Sequence, residues 1–351
     1  MASRPTTGEG AIARAAAWRE VAALGGVRVP TGYRGVETEC SDLMDRAALL
    51  PAAWEGVLAI AGADWRTFLH NLLTQDIRAL DAGTVRPAAL ADRKGHLEAD
   101  LWVAATPEGD GRLRLRRDLM ASVLALFDRH RFREQVEWRE AGGESARFLL
   151  LGPSAPAAAA ACGIAADAPA VGRHEWLEWF EVRETAAREY LLSVPVEQVA
   201  ALVDRLAPHA PLVGFDAFHR VRLIRGVAWF GFEADPARLV PETGLLDRVS
   251  YTKGCYLGQE PLARAHYQGA LNWMLHRFAL GAAPSGLPLD LVDSAGDRLG
   301  WIASSAPRGD GAIGLGYLHR RALDPPRELS TRDGVPVQDL GEARPPEQLS
   351  A

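Results

Sequence analysis

Lys253-Gly254-Cys255-Tyr256-Leu257-Gly258-Gln259-Glu260, running on into Pro261-Leu262-Ala263-Arg264, places a thiol beside a lysine and between two glycines. Gly254 and Gly258 permit tight or left-handed backbone. Pro261 suits the first turn of a helix, and Leu262, Ala263 and Arg264 continue it. The thiol therefore falls just ahead of a predicted helix start, where the helix dipole and Lys253 would both favour thiolate. The same residues also describe a small, buried, apolar cysteine filling a strand-to-helix turn. These residues alone leave both readings open.

Immediately upstream, residues 219–252 crowd Arg222, Arg225, Trp229, Phe230, Glu233 and Glu242 together. Aromatics with carboxylates and arginines suit a flat, hydrogen-bonding, anionic ligand: rings stack, a carboxylate pairs with an amino-pyrimidine edge, and arginine takes up carboxylates. A solvated helix face with a few core aromatics has the same composition. Farther upstream, "AALADRKGHLEADLWVAAT" reads as two strands joined at Arg93-Lys94-Gly95, with Glu98 and Asp100 behind the turn.

The rest of the chain has the pattern of an α+β protein. "VLAIAG" (57–62) is a short buried strand, and Asp64 opens a helix with Trp65, Phe68, Leu69 and Leu72 on one face. "RLRLR" (112–116) alternates as a strand, 119–130 has helical spacing, and strands are expected at 134–140, 146–153, 176–183 and 189–194, with helices at 196–207 and 214–225. Residues 10–25, Ala-rich and followed by Gly25-Gly26, predict an N-terminal helix. The Ala- and Pro-rich stretch 154–171 reads as a short helix, a loop and a seam between lobes. Four regions follow: an N-terminal helix and extension (1–39), an α+β body (40–276), short strands with Gly and Asp turns that predict a small β-barrel (277–340), and an unstructured tail (341–351).

Composition narrows the function. The 351 residues carry 39 Lys and Arg against 45 Asp and Glu, a formal charge of -6, so no chain-wide basic surface points to direct nucleic-acid binding. Three widely spaced cysteines, Cys40, Cys162 and Cys255, predict free thiols in a reducing compartment, and no apolar run approaches the roughly 20 residues of a membrane span. A cytoplasmic protein is expected. The phosphate-binding G-x-x-x-x-G-K-[ST] loop, a dinucleotide G-x-G-x-x-G leading from a strand into a helix, H-E-x-x-H and Gly-x-Ser-x-Gly are absent, and the nine histidines, His266 and His276 among them, show no metal-ligand spacing.

"KGCYLGQEPLAR" closely resembles the K-G-C-Y-x-G-Q-E motif of the YgfZ family, folate-binding relatives of the glycine-cleavage T-protein and of a mitochondrial iron–sulfur assembly factor. "GVLAIAGADWRTFLHNLLTQDIRAL", "AALADRKGHLEADLWV", "LLGP" and "LVPETGLLDRVSYTKGCY" resemble other stretches of that family, so the likeness covers about residues 40 to 320. The resemblance implies a three-part T-protein-like architecture: two interleaved α+β lobes around a central opening that takes tetrahydrofolate, and a C-terminal β-barrel. Its implied site residues are Cys255 and Asp100 for chemistry, and Lys253, Tyr256, Gly258, Gln259, Glu260, Arg264, Glu242 and Trp229 for the folate, with no metal.

Departures separate the branches of that superfamily. Where the T-protein reads R-I-E-x-G, this chain reads Arg222-Leu223-Ile224-Arg225-Gly226, so the pterin carboxylate is missing. Ala99 replaces one half of the acidic pair that Asp100 completes, and Cys255 has no T-protein counterpart. The resemblance thus implies a monomeric, folate-binding accessory protein in iron–sulfur cluster assembly or repair, supporting tRNA modification, with iron–sulfur client or assembly proteins as partners. The alternative is a tetrahydrofolate-dependent aminomethyltransferase or demethylase with Asp100 as acid/base.

Overall fold

The structure is a computed structural model and describes residues 17–142, 145–186, 188–267, 269 and 271–343. In chain order it begins with a hairpin of β1 (Ala17–Val21) and β2 (Val27–Gly32), followed by α1 (Val36–Asp45), β3 (Ala48–Pro51), β4 (Glu55–Ala61), α2 (Trp65–Leu72), β5 (Val85–Ala91), β6 (Leu97–Ala105) and β7 (Gly111–Arg116). Next come α3 (Met120–His130), β8 (Glu137–Glu140), β9 (Ser145–Leu151), α4 (Ala155–Ala159), β10 (Val171–His174), β11 (Leu177–Val182), β12 (Glu189–Pro195), α5 (Val199–Leu206) and α6 (Phe215–Arg225). The chain ends with α7 (Gln259–Tyr267), β13 (Trp273–Leu280), β14 (Leu289–Val292), β15 (Arg298–Arg308), β16 (Gly311–His319), β17 (Leu329–Thr331) and β18 (Pro336–Glu342). Two compact units result: residues up to 88 with 99–218, and 89–98 with the chain from 219 onward.

The first unit carries two five-stranded sheets, ordered β10-β11-β12-β9-β3 and β5-β6-β7-β4-β8. On the first, Phe148, Leu150, Tyr190 and Leu192 join Leu202 and Leu206 of α5 in one core cluster. The second sheet shows how "RLRLR" works. Leu113 and Leu115 are buried on one face, whereas Arg112, Arg114 and Arg116 line the other in register with β4. Phe68 of α2 and Phe127 of α3 meet edge-on at 5.6 Å, and Trp138 stacks on Phe68 at 5.8 Å.

In the second unit, β13-β16-β15-β14-β17-β18 close into a six-stranded barrel, with Phe278, Leu291, Leu299, Ile302 and Leu318 in its core. The predicted barrel is therefore present, running from Trp273 to Glu342.

Two expectations at the chain ends need correction. Residues 17–24 are strand and 3-10 turn, not the end of a helix; the start of the expected helix, 10–16, lies outside the described residues. Pairing decides this, since Val21 faces Val27 and Glu20 faces Arg28, and such partners override the helix propensity of an Ala-rich stretch. Gly25 and Gly26, both at positive φ, make the hairpin turn instead of stopping a helix. At the other end, Gly341 and Glu342 belong to β18, and 344–351 lie outside the described residues. The stretch 154–171 lies within the first unit.

Candidate functional site

The loop from Val249 to Gly258 alternates buried and exposed residues in a way that presents its thiol. Cys255 is exposed, whereas Lys253 and Tyr256 on either side are 7% and 8% exposed. A buried cysteine filling a turn is thereby ruled out. The Lys253 ammonium sits 4.6 Å from the centroid of the Tyr256 ring, a cation–π contact, and the Lys253 backbone N–H donates to the Ser250 hydroxyl at 3.3 Å. Burial, reinforced by nearby Tyr251, pushes the Tyr256 hydroxyl well above its ordinary value, so it stays a neutral phenol. Helix α7 starts where Pro261 predicts, at Gln259, whose backbone N–H donates to the Tyr256 carbonyl at 3.3 Å.

Three segments distant in sequence meet around this loop. Gly258 has φ +80°, and a Cβ there would stand 2.3 Å from the Asp92 carbonyl oxygen and 3.3 Å from Gly95. Asp92 accepts the backbone N–H groups of Lys94 and His96, each at 2.8 Å, folding "DRKGH" into an Asx turn. Those two donors hold the Asp92 carboxyl below its usual range against the opposing effect of burial. Leu97 then donates to the Arg238 carbonyl at 2.9 Å, and Val240 donates to the Gly95 carbonyl at 3.2 Å, which brings "RLVPET" against the same turn. Asp92, Gly95 and Arg238 were absent from the sequence-level site. The aspartate two residues ahead of Lys94-Gly95 was the available signal.

Glu242 lies in that third segment, 7% exposed, and its carboxylate accepts the Leu239 backbone N–H at 3.2 Å. Burial pushes its carboxyl up, with the Leu239 N–H and the Arg238 charge opposing. Trp229 is buried; its backbone N–H donates to Glu233 at 3.1 Å, and its ring, the Phe232 ring and the Arg222 guanidinium form a mutual cluster. Arg222 and Glu233 form a completely buried pair at 2.8 Å, so these two support Trp229 from within. Arg264 and Glu260 instead pair with each other at 3.0 Å on the exposed face of α7, with 62% and 84% of their side chains exposed, and Gln259 is half-buried. Tyr251 stacks on His266 at 3.8 Å, with the largely exposed Tyr267 edge-on to both.

Asp100 belongs to the first unit, half-buried on β6. It feels the charge of Arg114, which is held by Glu184 at 2.7 Å and by a bidentate contact to Glu55, one arm of it 2.6 Å. Burial disfavours the charged guanidinium there, yet Glu184 and Glu55 outweigh it and hold Arg114 above its ordinary value. No group of three or more His, Cys, Asp or Glu side chains suited to a metal ion occurs among the described residues, and none of their helices is long and apolar enough to cross a membrane.

Comparison with known proteins places this geometry. Residues 11–253 match the family model of the GCVT N-terminal domain. An aminomethyltransferase from Rubrobacter xylanophilus is 29% identical over 334 residues, 88% of each chain. A tRNA-modifying protein YgfZ from Serratia proteamaculans is 26% identical over 296 residues, 80% of this chain and 87% of the relative, and one from Sodalis glossinidius is 27% identical over 289 residues, 79% and 86%. The crystal structure of the glycine cleavage system aminomethyltransferase T from Bartonella henselae superposes with a TM-score of 0.82 at 20% identity, covering 96% of this chain and 97% of that one, so the two share a fold.

Proposed function

This chain belongs to the GCVT N-terminal domain family and is a YgfZ-like member of it, and from that premise we propose that it is a tetrahydrofolate-binding accessory protein that acts in iron–sulfur cluster assembly or repair and supports tRNA modification. The observation that carries this reading is the exposed Cys255, set in a loop whose neighbouring residues, Lys253 and Tyr256, are buried. Burying Lys253 and Tyr256 while leaving Gly254 and the thiol in solvent suits a group that must meet another molecule.

The donor set suits a folate. Lys253 offers a cation for the carboxylates of the glutamate tail, and Glu242 is a buried carboxyl able to pair with an amino-pyrimidine edge. Folate, when bound, supplies a carrier for a one-carbon group. Gly258 and the Asx turn at Asp92 set the path of the loop, and Tyr256 holds the Lys253 ammonium against its ring face.

Calorimetric titration of the full chain with tetrahydrofolate tests the binding half: saturable heat is expected, with a loss of about tenfold in Lys253→Ala. Absence of saturable heat overturns it. The thiol's role is tested in a strain lacking the gene: Cys255→Ala is expected to bind folate as the parent does yet fail to restore iron–sulfur enzyme activity, and full restoration removes the thiol from the reading.

A second reading is favoured by the aminomethyltransferase relative, which covers 88% of the chain. In it Asp100 serves as the acid/base of a folate-dependent one-carbon transfer. Turnover of an aminomethylated substrate with tetrahydrofolate, releasing ammonia and producing methylene-tetrahydrofolate in the parent but not in Asp100→Asn, would establish it over the first.

A further inference from the structure

A cleft of about 550 Å³ opens in the first unit between the ends of its two sheets, and none of the residues discussed above as folate contacts line it. Its charged lining comes from three strands: Arg112 on β7, Arg139 on β8 and Arg173 on β10, with Glu108 and Glu178 the acidic members. Glu178 lies 4.0 Å from Arg173. Arg112 donates to the Gly111 carbonyl at 2.9 Å, and neither Arg112 nor Arg139 has a carboxylate partner among the described residues.

Strand register sets these two arginines on one face of the sheet. Ala59 on β4 is the direct cross-strand partner of Arg112 on one side and of Arg139 on the other. All three therefore stand on one sheet face in a row, the arginine backbones two strand spacings, roughly 10 Å, apart. The central methyl leaves a niche between two long cationic side chains. Thr106, also on the cleft wall, is 6% exposed, and its hydroxyl has no hydrogen-bond partner among the described residues. An unpaired buried hydroxyl costs free energy, which a ligand oxygen would offset. Val57, Val171, Trp179 and Phe180 supply apolar wall.

We propose that this cleft binds a small organic phosphate of nucleotide size, its phosphate in the niche between Arg112 and Arg139 over Ala59 and its flat body against the apolar wall. Two guanidinium forks suit a phosphate, which presents three terminal oxygens, better than a carboxylate, whose two oxygens a single fork saturates. The volume is that of a drug-sized ligand, far more than inorganic phosphate needs.

Adenosine 5′-monophosphate, ribose 5-phosphate, adenosine and inorganic phosphate, each titrated into the full chain, test the assignment. Saturable binding of the monophosphate is expected, tighter than that of inorganic phosphate or adenosine, with a loss of about tenfold in Arg139→Ala and in Arg112→Ala. Ribose 5-phosphate equal to the nucleotide would make the ring unnecessary and overturn the flat-body half of the proposal. Thr106→Val is expected to weaken binding while leaving the melting temperature equal or higher, because it removes an unpartnered hydroxyl without changing shape. Ala59→Leu is expected to abolish binding by filling the niche. No saturable binding of either organic phosphate, or binding unchanged in both arginine variants, overturns the proposal. Tetrahydrofolate titrated into the same variants keeps the folate reading separate, since Arg139 belongs to the first unit and Lys253 and Glu242 to the second.

Discussion

Lys253 directs its ammonium to the face of Tyr256, 4.6 Å from the ring centroid. Both side chains are buried, so the contact is partly desolvated and is worth about 1–2 kcal/mol. It also gives Lys253 a structural task within the loop. Tyr256→Phe keeps the π-face and is expected to leave stability and folate affinity close to those of the parent. Tyr256→Leu removes the face and is expected to lower both, by about tenfold in affinity. Equal affinities for the two variants would show that the ring face does not position Lys253.

The two glycines that flank Cys255 differ in kind. At Gly258 a methyl group would be driven to 2.3 Å from the Asp92 carbonyl oxygen, and φ is +80° besides. At Gly254 a Cβ meets nothing within 4 Å. Gly258→Ala is therefore expected to cost about 2 kcal/mol or more, from strain and from displacement of the Asx turn, whereas Gly254→Ala costs within about 0.5 kcal/mol. Urea midpoints of the two variants check this, and similar losses for both would contradict the separation.

What the sequence reveals of this site follows the range of the interactions involved. Pro261 announces the start of α7, and the alternation of "RLRLR" announces β7, because each is set by neighbours along the chain. Residues 17–24 misled because β2 supplies pairing that composition does not display. Arg222 and Glu233 carry the residue types of a ligand site and instead neutralise each other in the interior, since an arginine's partner is set by folding and not by its identity. Asp92 stays out of the sequence-level site for the converse reason: its carbonyl matters only through Gly258, which arrives from far along the chain.

The Arg222–Glu233 pair supplies a prediction of its own. Arg222 donates to Glu233 at 2.8 and 3.2 Å and to the Val227 carbonyl at 3.2 Å, its Nε lies 3.2 Å from His219 Nδ1, and the Trp229 backbone N–H donates to the same carboxylate. Removing one partner leaves a buried charge uncompensated, so Arg222→Met and Glu233→Gln are each expected to destabilise the protein by about 3–5 kcal/mol. The double variant is expected to lose less than the sum of the two, because the second change removes the charge that the first orphaned. Additive losses in denaturant unfolding would show that the two groups act independently.

Glu55 is buried, 1% exposed, beside Arg114, and the cost of burial outweighs the arginine's attraction, pushing its carboxyl above the ordinary value. The folded state therefore holds this proton more tightly than the unfolded chain does. Its stabilising contribution is complete below the unfolded carboxyl value of about 4.3 and is lost as pH rises through the folded value. Gln is close in shape to the protonated acid and does not titrate. Glu55→Gln is accordingly expected to match the parent near pH 4 and to gain on it as pH rises, with a limiting gain of about 1.4 kcal/mol for each unit by which the native value exceeds the unfolded one. The difference in urea unfolding free energy between the two proteins, followed from pH 4 to 8, isolates this group from other carboxylates. Asp339, held below its usual range by His276 against the opposing effect of burial, loses its contribution as pH falls and does so equally in both proteins. A difference that shrinks or reverses with rising pH would mean that Arg114 prevails over burial and holds Glu55 as a carboxylate.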